Sequence, residues 1–162
     1  FIKEIHRVAE DFDSVLISLY YLDARDEERV KAYQQEGFKV VTSGHHFDRN
    51  FVRRQRTHLE LADMTMSNSM GTQTGFCVYL KKPHYIYKQE FKQSASSKLQ
   101  LKRFKDSSSL SEKELVARQR EYFSQLFSEY QQTINEEQYE ATSRFWGFGQ
   151  VKTKAELQEI FG

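Results

Sequence analysis

The chain has 162 residues, one cysteine and a formal net charge of +1. This length favours a single domain, the near-neutral charge argues against a nucleic-acid-binding protein, and the lone cysteine excludes a disulfide framework and suits a reducing compartment. No apolar run approaches the about 18 residues of a membrane span and no signal-peptide pattern is found, so we expect a cytoplasmic protein.

Hydrophobic spacing predicts alternating helices and strands over the first 90 residues. A helix is expected over Phe1–Glu10, and the continuous apolar run Val15–Tyr20 predicts a strand buried on both faces. A charged helix is expected over Arg25–Glu36, with Gly37 as its C-terminal stop. The next predicted strand covers Phe38–Val41.

The same alternation continues beyond residue 44. Asp48 is expected to cap a helix that ends near Leu61, and Met64–Ser67 reads as a short strand. A buried helix over Thr74–Leu80 and a strand that begins with Tyr85–Tyr87 complete the region. This order predicts an α/β fold, with a Rossmann-like parallel sheet of about four to five strands flanked by helices.

The pattern changes after residue 87. Between Lys81 and Lys105, eight basic residues accompany a single acidic one. An ordinary loop is one interpretation of this stretch, and peripheral contact with an anionic membrane surface is the other. Further helices are expected over Glu112–Tyr130, from Asn135 to about residue 145, and over Thr153–Phe161. One domain over 1–162 is therefore expected, with an α/β core (1–90), a basic loop (91–110) and C-terminal helices (111–162).

The segment Ala62–Tyr87 contains the most informative local pattern. Small polar residues fill the turn Ser67–Thr72, between a predicted strand and a predicted helix. Free N–H groups at the start of such a helix bind anions, phosphates in particular. In the simpler interpretation, Ser67 and Ser69 cap the helix and Gly71 only permits a tight turn.

Three segments together resemble a known family: Ser43-Gly44-His45-His46, Asp63–Thr72 and Leu80–Pro83. They are similar to the C-terminal, donor-binding half of GT-B glycosyltransferases, in particular bacterial proteins encoded with surface-polysaccharide genes. The resemblance covers about Val15–Tyr87. It implies a Rossmann-like domain that forms the C-terminal half of a longer two-domain protein, with the last helices packed under the sheet.

The resemblance also implies a site for a nucleotide-sugar donor. The Gly44 turn would approach the base or ribose, and one of His45 and His46 is a candidate ligand contact because the pair follows a strand. The diphosphate would be held at the helix N-terminus by Ser69, Gly71, Thr72 and Gln73, and Ser67 and Asn68 complete the candidate set. No metal or other cofactor is expected, since the helix end and a nearby cation would stabilise the leaving group. Candidates for that cation are Arg49, Arg53 and Arg54.

The expected activity is transfer of a sugar to a glycan or lipid-linked acceptor in cell-surface polysaccharide synthesis. The acceptor site and the catalytic base would lie in a preceding domain, so this chain alone is expected to be inactive and its catalytic residues stay unassigned. His45, His46 and His58 match no zinc spacing. Two alternatives stay open, which are a nucleotide-sugar epimerase of the same shape and a non-catalytic module that binds a partner protein or a membrane.

Overall fold

A computed structural model describes residues 1–89 and 110–162, and this part of the chain has an α/β architecture. Its helices are α1 (Ile2–Ala9), α2 (Glu27–Gln35), α3 (Phe51–Leu61), α4 (Thr72–Tyr79), α5 (Leu110–Leu126), α6 (Glu136–Trp146) and α7 (Lys154–Phe161). Its strands are β1 (Leu16–Leu19), β2 (Lys39–Thr42), β3 (Thr65–Ser67) and β4 (His84–Ile86). The predicted α/β class is therefore confirmed.

The four strands form two separate parallel pairs. β1 pairs with β2 from Leu16 opposite Lys39, and β3 pairs with β4 from Thr65 opposite His84. Each pair is a β–α–β unit, joined through α2 in the first unit and α4 in the second.

The prediction of one sheet with about four to five strands is wrong, because no ladder joins the two units within the described residues. Strands of three or four residues offer few backbone groups to a further strand. The sequence pattern also sets each strand locally, whereas pairing depends on contacts between distant segments. At β4, the N–H of Ile86 donates to the carbonyl of Phe127 at 2.8 Å, so the end of α5 lies beside this strand.

Burial of β1 also differs from the prediction. The apolar run was expected to be covered on both faces, but none of the β1 residues is buried and Leu16 is 40% exposed. Ile17 and Leu19 are half-buried while Ser18 is exposed, so one face of the strand meets solvent. An alternating pattern of this kind is typical of a strand covered on one side only.

The hydrophobic core lies around the second unit. Val78, Ile86, Phe123 and Phe127 form one buried cluster, in which α4 and β4 meet α5 and the residue directly after it. Cys77, next to Val78, is 1% exposed and belongs to the core as a small apolar residue.

Close contact between α4 and α6 depends on Gly75. The ring of Trp146 lies over this glycine, so that a Cβ added there would be 2.6 Å from the ring. Only a residue without a side chain allows the two helices to approach this closely.

The predicted ends of the last two helices match the structure, and neighbouring residues determine these ends. Asn135 caps α6 in a reciprocal capping box with Gln138, and Thr153 caps α7 in the same way with Glu156. Gly147 takes a left-handed conformation (φ 66°) directly after α6. These helix boundaries therefore follow from a few neighbouring residues.

Two predicted helix boundaries are wrong. Asp48 does not cap α3, which begins at Phe51 with Asn50 as its uncapped N-terminal neighbour. The Asp48 carboxylate instead forms an ion pair with Arg54 at 2.8 Å. The helix predicted to reach Tyr130 ends at Leu126, because the chain turns there to place Phe127 in the core.

Most of the predicted basic loop lies outside the described residues. Within residues 1–89 and 110–162, no helix is both long and apolar enough to cross a membrane.

Candidate functional site

The turn between β3 and α4 leaves the start of that helix without a side-chain cap. α4 begins at Thr72, and Gly71 precedes it in an extended conformation (φ −158°, ψ −178°). The interpretation in which Ser67 and Ser69 cap this helix is therefore wrong. The amide end of α4 carries the positive end of the helix dipole, which attracts anions.

Gln73 partly covers this amide end. Its Nε2 donates to the carbonyl of Ser69 at 3.5 Å, and its side-chain amide lies against Gly71, with Nε2 at 2.8 Å from the position of an added Cβ. Thr72 and Ser69 are exposed beside it. The covering group is the end of a flexible side chain, which an anion at the helix end would displace.

Ser67 faces into the protein rather than toward the exposed turn. Its hydroxyl donates to the Ser69 carbonyl at 2.9 Å and lies 3.1 Å from Nε2 of His84. Its backbone carbonyl accepts from the N–H of Tyr87 at 2.9 Å. Of the predicted turn residues, Ser67 therefore has an internal structural role.

His84, which the sequence analysis did not single out, is the centre of a buried polar network. Nδ1 lies 2.8 Å from the hydroxyl of Thr65, and Nε2 lies 3.4 Å from the hydroxyl of Thr74. Thr65 donates its own proton to the Pro83 carbonyl at 3.0 Å, so it accepts from Nδ1–H. Because Ser67 already donates to the Ser69 carbonyl, Thr74 is the hydroxyl that can donate to Nε2, and this pattern fits the neutral Nδ1–H tautomer of His84.

Burial lowers the pKa of His84 to about 4. Among the described residues, no carboxylate is a hydrogen-bond partner of its ring, so none of them offsets the cost of taking a charged imidazolium out of water. His84 is therefore neutral at pH 7 and holds β3, α4 and β4 together beneath the turn.

The second group of predicted residues lies at the carboxyl end of β2. Gly44 has φ +84°, a conformation that favours glycine, and an added Cβ would lie 2.7 Å from Nη1 of Arg54. That same nitrogen donates to the carbonyl of Ser43 at 2.6 Å. The Gly44 turn is thus fixed against α3 by one arginine.

His45 and His46 belong to a cluster of five aromatic rings, here called the aromatic patch. The two imidazoles stack at a centroid distance of 4.3 Å, and His45 also contacts Tyr21 at 4.5 Å. The full patch is Tyr20, Tyr21, His45, His46 and Phe47. The ring of Phe47 is 85% exposed. Two of these residues directly follow β1, and their position at the end of a strand was a signal that the sequence analysis did not use.

A shallow groove of about 300 Å³ runs along α3, next to the Gly44 turn. It is lined by Asn50, Arg53, Arg54, Thr57 and His58. Burial, assisted by the charge of Arg54, lowers the pKa of His58, so His58 is neutral at pH 7. The positive charge of this groove therefore comes from its two arginines.

The predicted site residues fall into two groups in the structure. Gly44, His45 and His46 lie after β2, and the turn residues 67–73 lie between β3 and α4. Among the described residues no hydrogen bond joins the two groups, and α3 is the element that connects them along the chain. The same residues contain no cluster of three or more side chains suited to a metal ion.

Comparison of the chain with protein-family models, with curated proteins and with solved structures finds no match. The functional interpretation therefore depends on the geometry of the two groups and of the groove beside them.

Proposed function

We propose that this chain is the donor-binding domain of a glycosyltransferase, which transfers a sugar from a nucleotide sugar to a glycan or lipid-linked acceptor in cell-surface polysaccharide synthesis. The observation that carries the proposal is the uncapped amide end of α4, which opens at the carboxyl end of β3. Ligand phosphates bind at this position in parallel β–α–β units. The exposed Thr72 and the displaceable amide of Gln73 would contact the phosphate oxygens.

The aromatic patch supports a nucleotide as the donor. Exposed rings such as Phe47 and His46 present flat apolar faces on which a base stacks. The patch follows β2, so it lies at the carboxyl end of the other β–α–β unit. In the proposed complex the base contacts the patch and the diphosphate lies toward α4.

The groove on α3 places two arginines beside the Gly44 turn, so its positive charge lies near the residues that follow β2. Arg53 lines the groove, whereas Arg54 is already paired with Asp48. Of the two, we take Arg53 as the candidate for the predicted cation. It lies on the face of α3 that is turned away from α4, so this role applies to a ligand phosphate held near the Gly44 turn.

Thermal unfolding with added nucleotides tests the proposal. UDP, GDP and CDP are compared with CMP at millimolar concentration, and the diphosphate of the correct base is expected to raise the melting temperature most. Thr72→Glu places a carboxylate at the amide end, where the helix dipole tolerates it but a phosphate is repelled. This variant is expected to lose the diphosphate-dependent shift.

Thr133→Glu is the matched control, because it makes the same substitution at an exposed position outside α4 and the turn before it. It is expected to keep the shift of the unchanged chain. If no nucleotide shifts the melting temperature, or if both variants respond like the unchanged chain, the site is not where we place it.

The proposed location is the cytoplasm, with peripheral contact at the inner face of the membrane through the basic stretch 81–105. Two lysines of this stretch are engaged within the protein, since Lys82 donates to the Glu60 carbonyl at 3.1 Å and Lys88 pairs with Glu121 at 2.5 Å. Sedimentation with anionic and neutral vesicles, with and without residues 98–105, measures the contact. Equal binding to both vesicle types would argue against it.

A further inference from the structure

An apolar groove of about 240 Å³ lies on the face of α3 that is turned away from the arginine groove. Gly75 and Trp146 are part of its lining, and its apolar wall includes Val52, Leu59, Phe76, Tyr79 and Phe148. Val52 is 65% exposed and Tyr79 is 46% exposed. Large apolar side chains exposed side by side are typical of an interaction surface.

α7 offers an apolar surface of matching chemistry. Leu157, Ile160 and Phe161 follow helical spacing (i, i+3, i+4) and form one stripe, although none of them is buried. Their exposures rise from 42% for Leu157 to 82% for Phe161. The capping box at Thr153 closes the first turn of α7, so this stripe is carried by a defined helix.

We infer that α7 of a second copy of this chain occupies the groove, in a reciprocal dimer. An amphipathic helix that inserts i, i+3 and i+4 side chains into an apolar groove is a recurrent mode of recognition. Since each copy carries both surfaces, a two-fold arrangement satisfies both grooves and closes without further growth. The exchange makes each helix–groove contact twice, so both contacts contribute to the surface that the dimer buries.

Charges at the borders of the two surfaces are complementary. On the groove side, Arg56 of α3 is exposed and pairs with Glu60 at 2.7 Å. On the helix side, Glu156 borders the stripe next to Ile160 but is held in the capping box with Thr153, whereas Lys154 borders the stripe next to Phe161. Lys154 of one copy can therefore meet Glu60 of the other, which fixes orientation more than affinity.

The connection to α7 favours a second copy over the same chain. Val151 is part of the groove lining, and only Lys152 and Thr153 separate it from the helix. Two residues span about 7 Å at most, and with this short connection the stripe of α7 is exposed rather than seated in its own groove. A helix from another copy has no such tether. The groove involves the second half of α4, which leaves the amide end of that helix free.

Sedimentation equilibrium of the chain over a concentration series tests the dimer. Val52→Glu changes the groove and Ile160→Glu changes the helix, and each is expected to raise the dimer dissociation constant by at least about tenfold. Leu61→Glu is the matched control, because Leu61 is a 73% exposed apolar residue of α3 that does not line the groove. It is expected to leave the dissociation constant unchanged. All three positions are exposed, and circular dichroism verifies that each variant folds.

A mixture of the two disabled variants provides an independent measurement. The copy with Ile160→Glu keeps an intact groove and the copy with Val52→Glu keeps an intact helix, so their mixture retains one contact of the two. A mixed dimer is expected, tighter than either variant forms with itself. A wild-type chain that stays monomeric throughout the series overturns the proposal, as does a control variant that dissociates as strongly as the other two. A monomer whose α7 amides resist hydrogen exchange would assign the groove to its own helix instead.

Discussion

The two β–α–β units have the same local order but very different surroundings. In the first unit none of the residues of β1 and β2 is buried, whereas all three residues of β4 are buried. The difference arises from the C-terminal helices. Phe123 of α5 and Phe127, which directly follows this helix, pack against Val78 and Ile86 of the second unit. The same strand–helix–strand pattern therefore yields a well-covered unit only where later helices lie against it.

This contrast separates stability from the aromatic patch, which is one of the two groups of candidate ligand contacts. The buried core and the His84 network both lie in and around the second unit. The aromatic patch belongs to the first unit, where exposed rings and half-buried strands leave surface for a partner. We therefore expect core substitutions to reduce stability strongly in the second unit and weakly in the first.

Phe127→Ala is expected to have the largest effect. The side chain is fully buried in the core cluster, so its removal leaves a cavity that costs about 3–5 kcal/mol of unfolding free energy. Urea unfolding measures this loss. Phe47→Ala, at an 85% exposed ring, is the control and is expected to cost less than about 0.5 kcal/mol. Equal losses in the two variants would contradict the position of the core.

The pH dependence of stability is expected to report on His84. Its pKa is about 4 in the folded protein against 6.5 when unfolded, so the unfolded state binds more protons below pH 6.5. The contribution of His84 to the free energy of unfolding is therefore fully present above pH 6.5. It is lost as the pH drops toward 4, by about 3 kcal/mol in total. Urea unfolding between pH 7.5 and pH 4 measures this slope, which His84→Gln is expected to flatten. The same substitution at the exposed His6 should leave the His84 contribution in place, and an unchanged slope in His84→Gln would exclude this assignment.

Gly75→Ala is expected to destabilise the protein although alanine is the better helix former. The added methyl group would lie 2.6 Å from the Trp146 ring, and overpacking of this kind costs about 1–3 kcal/mol against at most about 1 kcal/mol gained in helix propensity. A melting curve measures the net loss. Pairing the change with Trp146→Leu tests the cause, because the double variant should lose less than the sum of the two single ones. Strict additivity would show that the ring is not the obstacle.

Features set by neighbouring residues were predictable from the sequence. The caps at Asn135 and Thr153 depend on side chains three residues further on, and Gly147 ends α6 through its own backbone freedom. Asp48 shows the limit, since its carboxylate pairs with Arg54 rather than capping the helix that carries this arginine. That choice depends on how α3 packs against the Gly44 turn.

Features set by distant contacts were not predictable. The cover over β4 depends on α5, and the pairing of strands likewise depends on segments far apart in the chain. His84 was missed for the same reason, because its partners Thr65, Ser67 and Thr74 come together only in the folded chain. One signal was present: Thr65 and Ser67 share a face of β3, and two inward hydroxyls require a buried polar partner. The turn after β3 was placed correctly, but its internal contacts were not.

A comparison of Leu16→Ala with Ile86→Ala tests whether a strand residue of the first unit contributes less to stability than one of the second unit. Both residues are apolar and belong to parallel strand pairs, but Leu16 is 40% exposed and Ile86 is 1% exposed. A half-covered leucine loses little transfer free energy on truncation, so we expect about 1 kcal/mol or less for Leu16→Ala, against about 2–5 kcal/mol for Ile86→Ala. Urea unfolding of both variants gives the ratio. A Leu16→Ala loss as large as that of Ile86→Ala would mean that β1 is covered in solution by a surface that the described residues do not provide.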